Sequence, residues 1–262
     1  DGLEGRADRD FGLAEPDVAA DQPVHRHGTF HVLLDELRGR LLVPTTILAL
    51  QHYRTFNERL KEFPVRIEHL SRAKSTAEVN QILKDVADGR IDILIGTQMI
   101  VKGHDFPDVT LVGVLAADMS LYASDYTAAE KTFQLLCQAA GRAGRGKNPG
   151  EVVIQTYAPD NYSIIAASHQ DYDEFFEQEI VYRKLMGYPP VANMVSVLLQ
   201  CSGESELEMA TESVVQLIRK VKEQKYNELF VIGPADPPVS KINDIYRKII
   251  YLKSDNRVHL IR

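Results

Sequence analysis

Cysteine is scarce in this 262-residue sequence, which contains only Cys137 and Cys201. Their separation makes a disulfide framework or a cysteine-based zinc site unexpected, and a reducing cytoplasm is the default compartment. Long apolar runs are missing too, since no stretch approaches the roughly 18 residues of a membrane helix. The opening segment, Asp1 to Arg6, is charged and lacks the apolar centre of a signal peptide. The composition therefore predicts a globular protein that works in water.

Net positive charge is also lacking. The formal charge of −7 argues against a protein that binds nucleic acid through its overall charge. Local basic patches can still bind phosphates, because charges act mainly within about 10 Å at ordinary salt. Two such patches occur, one with Arg142, Arg145 and Lys147, the other with Lys241, Arg247, Lys248 and Lys253. Taken alone, each patch is better explained as solvated surface.

The first 40 residues show no sustained hydrophobic period before the segment 30–37. We predict irregular structure over 1–28 and a short helix over the next dozen residues. His25, His27 and His31 have a spacing that could supply metal ligands. No carboxylate or cysteine framework accompanies them, so a solvent-exposed histidine cluster is preferred.

From Leu41 onward, short apolar segments alternate with amphipathic helices. One predicted helix buries a face made of Ala49, Tyr53, Phe56 and Leu60. The next opens at the capping box Ser75-x-x-Glu78, has its inner face at Val79, Ile82, Leu83 and Val86, and ends at Gly89. A third covers Tyr126 to Ala140. The predicted strands are 41–43, 65–67, 91–95, 110–115 and 151–155.

This alternation predicts an α/β fold, a doubly wound parallel sheet. Sheets of this kind bind their ligands at the carboxyl ends of the strands. The segments 44–46, 96–98 and 116–118 all follow predicted strands, so we expect them to lie together at that edge.

After Ala158-Pro-Asp160 the pattern changes to a smaller α+β arrangement. A helix is predicted over 172–186, and strands over 194–199, 229–232 and 246–252. The intervening helix has an apolar stripe that we expect to face inward, made of Leu207, Ala210, Val214, Leu217, Ile218 and Val221. The β-α-β-β order predicts a split βαβ unit of ferredoxin-like type, truncated at its end. Three regions result: an irregular segment 1–40, an α/β lobe 41–157 and an α+β domain 158–262.

The octet from Gln138 to Arg145 carries the strongest chemical signal, with Gly141, Arg142 and Gly144 between them. Two arginines three apart are expected on the same helical side, and glycines let the backbone approach a ligand. The arrangement suits a triphosphate, whose γ-phosphoryl charge is met by an arginine finger in the transition state. A Gly-Arg-rich helix terminus without a ligand is the alternative.

A second signal is the polar loop from Gly96 to Phe106, which follows a predicted strand. Lys102 could contact a DNA phosphate, and Asp105 could accept a hydrogen bond from a ribose hydroxyl. An ordinary junction between a strand and a loop is the plain alternative.

Together the two segments resemble motifs V and VI of superfamily-2 helicases. The amino-acid sequence from Ile95 to Val112 closely resembles that of the primosomal replication-restart DNA helicases, the PriA family. The resemblance covers about residues 92–256, through Ser124–Glu130, Tyr182–Pro190, Val231–Ala235 and Ile245–Leu252.

The resemblance implies a RecA-like helicase lobe followed by the C-terminal domain of that family. It also implies an ATP-dependent DNA helicase that assembles primosomes at stalled forks, with ATP and Mg²⁺ as cofactors. DNA, forked or single-stranded, and replication-restart proteins would be its partners. The resemblance implies that Arg142 and Arg145 contact the γ-phosphate. It implies that the rest of the nucleotide is bound by Gln138, Gly141, Gly144, Gly103 and Asp105. DNA would be contacted by Thr97, Gln98 and Lys102.

Residues of about 41–90 resemble a different helicase, the transcription-repair coupling factor. There, Thr45 and Thr46 would belong to motif Ia, which touches the DNA backbone. The crossover between the two resemblances would lie between about Asp88 and Thr97. Because the lobes of such helicases share a fold, we predict one hybrid lobe with a single parallel sheet.

Three sequence signatures of an active helicase are absent. The sequence has no G-x-x-x-x-G-K-[ST] loop, no D-E-x-H box and no zinc-binding cysteine set. Without the loop lysine and the acid that binds magnesium, the chain lacks the principal binding site for Mg-ATP. This chain alone is therefore predicted to be inactive. A catalytically inactive DNA-binding fragment, a recombined gene product and a transcription-repair coupling translocase remain the alternatives.

Overall fold

The computed structural model describes residues 38–100, 108–123, 125–145 and 149–261. The strands are β1 (Gly39–Leu42), β2 (Ile67–Leu70), β3 (Ile93–Gly96), β4 (Leu111–Val114), β5 (Glu151–Ile154), β6 (Asn193–Cys201), β7 (Phe230–Ala235), β8 (Lys241–Ile242) and β9 (Ile245–Ser254). The α-helices are α1 (Thr46–Arg59), α2 (Thr76–Ala87), α3 (Ala128–Ala140), α4 (Tyr162–His169), α5 (Tyr172–Met186), α6 (Glu204–Lys225) and α7 (Val258–Ile261). Two 3-10 helices cover Gln98–Ile100 and Ala117–Tyr122.

The first five strands form one sheet in the order β2-β3-β1-β4-β5, and every neighbouring pair is parallel. The predicted doubly wound α/β fold of RecA-like helicase type is therefore confirmed. So is the prediction that the segments before and after residue 90 share one sheet, because β1 pairs with β3 on one side and with β4 on the other.

β2 begins at Ile67, although the apolar pattern predicted a strand over 65–67. The amide of Val65 donates to the carbonyl of Phe63 at 2.8 Å, so this residue lies in a tight turn. Pairing with β3 starts only where the carbonyl of Arg66 accepts from the Asp92 amide. The inter-strand ladder, rather than the first apolar residue, thus fixes the start of β2.

Helices cover both faces of this sheet. On one face, Ala49 is buried against Ile93 and Ile95 with the rest of the predicted α1 stripe around it. On the other face, α2 and α3 pack over Leu94 and Val112. The Ser75 capping box is confirmed, because the Ser75 side chain accepts from the amide of Glu78 while the Glu78 carboxylate accepts from that of Ser75.

The larger core does not stop at residue 157, where the α/β lobe was predicted to end. Ile164 of α4 and Phe175 of α5 are buried in the same cluster as α3. The Phe175 ring stacks on Phe133 of α3, with ring centroids 4.6 Å apart. Residues up to the first turn of α5 therefore pack as part of the lobe, and the domain boundary itself stays a prediction.

The C-terminal part contains an antiparallel sheet in the order β6-β9-β7, with β8 paired to β9. β6 and β7 are parallel to each other and β9 runs between them in the opposite direction. With α6 connecting β6 to β7, this is the split βαβ arrangement that the element order predicted.

The inward stripe predicted for α6 is only partly right. Leu207, Thr211 and Val215 are the buried residues of the helix. Leu217 is 62% exposed and Val221 37% exposed, although both were expected to face inward, and Ala210 is exposed as well. The sheet is narrow, so the apolar surface of α6 is wider than the sheet beneath it.

None of the helices in the described ranges combines the length and apolarity that crossing a lipid bilayer requires.

Candidate functional site

The strand order creates a crevice at the carboxyl ends of β1 and β4. The chain leaves β1 toward one side of the sheet and returns after β3 to form β4 on the other side. Crevices at such switch points are where doubly wound sheets bind ligands. An open cleft of about 210 Å³ lies there, lined by Pro44, Thr45, Gln98, Ala116, Met119 and Ser120 among others. The three segments predicted to meet at this edge therefore do so.

Thr45 closes the amino end of α1 at this cleft. Its side-chain oxygen accepts from the amide of Leu48 at 3.3 Å, and its backbone is extended, as an N-cap requires. The first turn of α1 carries no acidic side chain. An anion at the cleft would thus meet helix amides without competition from a carboxylate of the first α1 turn. Thr46 is the first helical residue beside it.

The chain turns sharply after β3, at Gly96. A Cβ atom at this position would lie 2.5 Å from a side-chain carbon of Ile100 and 3.0 Å from the carbonyl oxygen of Leu70, so only glycine fits. The turn continues as a 3-10 helix in which the amide of Ile100 donates to the carbonyl of Thr97 at 3.0 Å. This turn presents Gln98 to the cleft. Lys102, Gly103 and Asp105 lie outside the described residues.

The arginine octet forms a loop after α3. The helix ends at Ala140, and Gly141 is its C-cap, with its amide donating to the carbonyl of Cys137 at 2.9 Å. Gly144 then adopts a left-handed backbone with φ of 70°. Arg142 and Arg145 lie beyond the helix, so the expectation that they share one helical side is wrong. The helix ends at Gly141, before it reaches either arginine.

Two backbone approaches fix this loop against the sheet. The amide of Gly144 donates at 2.9 Å to the carbonyl of Val109, which precedes β4. A Cβ atom on Gly144 would lie 2.6 Å from the amide nitrogen of Gly150, which precedes β5. The loop therefore sits at the amino ends of β4 and β5, at the opposite end of the sheet from the cleft.

The side chain of Arg145 is folded back on the end of α3. Its Nε atom donates to the carbonyl of Gly141 at 2.5 Å. A cation at the carboxyl end of a helix is favourable with or without a ligand. The geometry thus accommodates both explanations of the octet, a helix terminus and a phosphate-binding loop. Gln138, in the last turn of α3, is exposed to solvent.

Asp118 belongs to the segment 116–118 that was expected at this edge, although no role was predicted for it. It is buried behind the cleft and its Oδ1 atom accepts from the Thr156 hydroxyl at 2.9 Å and from the Tyr157 amide at 3.0 Å. Burial alone would raise the pKa of the carboxyl, but these hydrogen bonds outweigh it and hold the pKa below its ordinary value. Asp118 thereby ties the rim of the cleft to the chain after β5. Its position directly after an apolar strand was the available signal.

Arg183 is the second residue that went unnoticed. Its guanidinium is buried and donates to Glu179 at 2.7 Å, to the carbonyl of Pro189 at 2.9 Å and to Glu130 at 2.7 Å. Tyr162 donates to the other oxygen of Glu179 at 2.6 Å, and burial together with this carboxylate raises the tyrosine pKa. The network joins α3, α4 and α5. Only the i, i+4 spacing of Glu179 and Arg183 marked it in the sequence.

Metal ligands do not gather in the described ranges, where no group of three or more histidine, cysteine, aspartate or glutamate side chains is placed to hold an ion. The histidines at 25, 27 and 31 lie outside those ranges. The predicted nucleotide and DNA roles of the site residues stay predictions.

Comparison with known protein families supports a helicase. Residues 29–147 match the model of the helicase conserved C-terminal domain. This range includes β1 to β4, the cleft and the arginine octet.

Curated relatives are replication restart proteins named PriA. The chain is 40% identical to the protein of Bacillus subtilis over 180 residues. This match covers 69% of this chain and 22% of that protein. It is 39% identical to the protein of Rickettsia felis over 188 residues. This match covers 72% of this chain and 28% of that protein. The chain thus spans about a quarter of the length of these relatives.

Solved structures with detectable likeness are more distant. The helicase Lhr of Mycobacterium smegmatis bound to ssDNA and AMP-PNP is 18% identical, with a TM-score of 0.38, and the match covers 56% of this chain and 18% of Lhr. RecG bound to a three-way DNA junction is 24% identical, with a TM-score of 0.35, over 52% of this chain and 16% of RecG.

Family model and relatives point in the same direction. The chain carries a match to the helicase conserved C-terminal domain over residues 29–147 and is similar, over about 70% of its length, to PriA replication restart proteins.

Proposed function

We propose that this chain is the second motor lobe and C-terminal domain of an ATP-dependent, superfamily-2 DNA helicase of replication restart. In this role it supplies motifs V and VI to a nucleotide site completed by a first motor lobe. Its place of action would be the bacterial cytoplasm, at forked or single-stranded DNA, among other replication-restart proteins. The observation that carries the proposal is the arginine octet, built as a glycine-pinned loop at the end of α3.

The loop has the features that a finger presented to another lobe needs. Gly144 anchors it to β4 through one backbone hydrogen bond, and its tight contact with Gly150 leaves no room for a side chain. Both arginines therefore belong to a backbone segment that is held in place against the sheet. Arg145 would have to release the carbonyl of Gly141 to reach a γ-phosphate. Hydrogen bonds of charged groups are worth about 1.5–3 kcal/mol, so breaking this bond costs at most about that amount.

The remaining residues do not fit a whole Mg-ATP. The cleft of about 210 Å³ is below the roughly 300–1,000 Å³ of small-molecule pockets, and it lies at the other end of the sheet from the octet. In the proposed site, Arg142, Arg145 and Gln138 would approach the phosphates from this lobe, with Gly103 and Asp105 beside the nucleotide. ATP supplies the phosphoryl group and Mg²⁺ neutralises its charge, and both need residues of the first lobe.

The cleft is the part of the lobe that we assign to DNA. Thr45, Thr46 and the amides of the first α1 turn would bind a backbone phosphate, with Gln98 on the cleft lining, and Thr97 and Lys102 would be the further DNA contacts that the family resemblance implies. The geometry that supports this is the convergence of Thr45 and Gln98 on one crevice.

A catalytically inactive fragment is the second candidate, and the small cleft favours it. An ATPase assay separates the two. The chain alone should hydrolyse no ATP above background, with or without single-stranded DNA. Addition of a separately purified first lobe from a PriA relative should produce DNA-stimulated hydrolysis that Arg145→Ala abolishes. No hydrolysis in that mixture, with both lobes shown to bind each other, would favour the inactive fragment.

A further inference from the structure

Two exposed tyrosines lie beside the cleft, on the side formed by the chain after β4 and β5. Tyr122 is the last residue of the 3-10 helix Ala117–Tyr122, and Met119 of the same helix lines the cleft. Tyr157 follows β5, and its amide donates to Asp118 of this 3-10 helix at 3.0 Å. The two tyrosines therefore belong to neighbouring segments of one rim.

Both rings are largely open to solvent. Tyr122 is 74% exposed, Tyr157 is 71% exposed and Met119 is 50% exposed. Within the described ranges, neither tyrosine ring stacks on another aromatic side chain. Single exposed apolar side chains are ordinary on a protein surface, but here three large ones from two segments gather beside one cleft. A cluster of this kind indicates a binding surface.

The backbone holds this rim in place. The amide of Ala117 donates to the carbonyl of Gln155 at 3.0 Å, which joins the 3-10 helix to the chain after β5. Leu121 packs against the large core next to Tyr122. Ala116, which lines the cleft, has a left-handed backbone with φ of 49°. Because alanine adopts this conformation only where its surroundings enforce it, such residues concentrate at ligand sites.

The size of the cleft limits which part of a nucleic acid can enter it. Its volume of about 210 Å³ is below the roughly 300 Å³ at which small-molecule pockets begin. A phosphate group fits this space, whereas a whole nucleotide does not. A strand that places a phosphate beside Thr45 therefore leaves its bases outside the cleft, where the rim offers the two tyrosine rings.

Aromatic rings bind nucleic-acid bases by stacking. Stacking uses the flat face of a base, which every base has, and it is the usual contact in proteins that bind single strands without sequence preference. In a duplex these faces are covered by the neighbouring base pairs, so only unpaired bases can stack on a protein ring. Stacking needs no positive charge, which suits a chain with a net charge of −7.

We propose that Tyr122 and Tyr157 form a stacking platform for the unpaired bases of a DNA strand that has a phosphate in the cleft. The platform restricts the ligand of this rim to single-stranded DNA or the unpaired arm of a fork. This inference rests on the proposed assignment of the cleft to DNA.

A strand with bases and a strand without them test the platform. The probes are a labelled single-stranded oligothymidylate and an abasic strand of the same length, titrated with the full chain at constant salt and measured by fluorescence anisotropy. The wild type should bind the oligothymidylate at least about tenfold more tightly than the abasic strand. Tyr122→Ala and Tyr157→Ala should each weaken binding of the oligothymidylate by about tenfold, equivalent to roughly 1.4 kcal/mol. Neither substitution should change binding of the abasic strand.

Two kinds of variant control for loss of folding and for general surface effects. Tyr122→Phe and Tyr157→Phe keep the rings and should keep the affinity of the wild type. Tyr172→Ala makes the same truncation at a tyrosine of α5 that is 60% exposed, and it should bind both strands as the wild type does.

Tryptophan gives an independent signal, because the sequence contains none. Tyr122→Trp and Tyr157→Trp keep a ring on the platform, and stacked bases should quench their fluorescence when the oligothymidylate is added. The abasic strand should leave this fluorescence unchanged. Leu185→Trp, at a position of α5 that is 83% exposed, is the matched control and should respond to neither strand.

The outcomes separate failure of the platform from failure of the DNA assignment. Equal affinity of the wild type for the two strands overturns the platform and leaves the cleft as a phosphate site. Absence of binding to either strand overturns both. Alanine variants that bind the oligothymidylate as tightly as the wild type overturn the platform alone, as they would if the tyrosines contacted another protein instead.

Discussion

The guanidinium of Arg183 and the carboxylate of Glu130 lie 2.7 Å apart and join α5 to α3, the helix that carries the arginine octet. The same guanidinium is held by Glu179 at 2.7 Å, and the side chain of Arg183 is only 10% exposed. Further along the chain, Lys253 of β9 donates to the carbonyl of Met186 at 3.1 Å and lies over the ring of Tyr188. Contacts therefore run from the C-terminal sheet through α5 to α3.

Removing the guanidinium should strongly destabilise the lobe. Arg183→Met leaves Glu179 buried without its cation, and breaking a buried pair in this way costs about 3–5 kcal/mol. The free energy of unfolding, measured in urea, should fall by that amount. Arg219→Met, at an exposed position of α6, is the matched control and should change stability by less than about 0.5 kcal/mol. A loss for Arg183→Met no larger than that of the control would show that the network does not hold the helices together.

The tight packing of the octet loop predicts an unequal effect of two glycine substitutions. Gly144 and Gly187 have similar positive φ values, 70° and 59°. A Cβ atom would strike the backbone of Gly150 at position 144, whereas nothing lies within 4 Å of it at position 187. Gly187→Ala should therefore cost about 1 kcal/mol for backbone strain alone. Gly144→Ala should cost at least twice that figure and should speed amide exchange in the loop. Equal costs for the two substitutions would contradict the packed loop.

Sequence predictions were correct where the interacting residues are close together in the chain. The capping box at Ser75 involves groups three residues apart, and it was correct in every contact. The end of α5 at Gly187 was equally local. Failures came where a distant segment decides the outcome: β2 begins where β3 can pair with it, and Leu217 is exposed because the sheet beneath α6 is narrow. Periodicity identifies an apolar face, but it does not reveal how much of that face the fold covers.

The same distinction holds for the candidate site. Glycine spacing in the octet predicts that the backbone approaches a ligand, and this stays a prediction, because the close approach in the structure is to the backbone of Gly150. The position of the octet at the amino ends of β4 and β5 depends on a hydrogen bond to Val109, 35 residues upstream of Gly144, which no local pattern encodes. Arg183 was also beyond reach, because its partner Glu130 lies in α3, 53 residues upstream.

The carboxyl of Asp118 predicts a pH dependence of stability. Its pKa is lower in the folded state than in the unfolded chain, despite burial, because Thr156 and Tyr157 donate to it. The stabilisation is therefore complete above the unfolded pKa of about 3.9 and is lost as the pH falls through the lowered folded value. Asp118→Asn should be less stable than the wild type at neutral pH, and the gap should close in strong acid. A gap that is independent of pH would show that the charge of Asp118 makes no contribution.

Arg145 makes the sharpest distinction between the two explanations of the octet. In the chain alone it donates from an exposed position to the carbonyl of Gly141, so Arg145→Ala should reduce the stability of the fold only slightly. In an assembly completed by the first lobe of a PriA relative, loss of an arginine finger should lower turnover by about 10³-fold or more while ATP binding changes little. Arg145→Lys keeps a cation near the end of α3 but loses the planar fork, so it should retain stability without restoring turnover. A less than tenfold fall in turnover for Arg145→Ala, with the assembly intact, would leave the helix terminus as the only role of this residue.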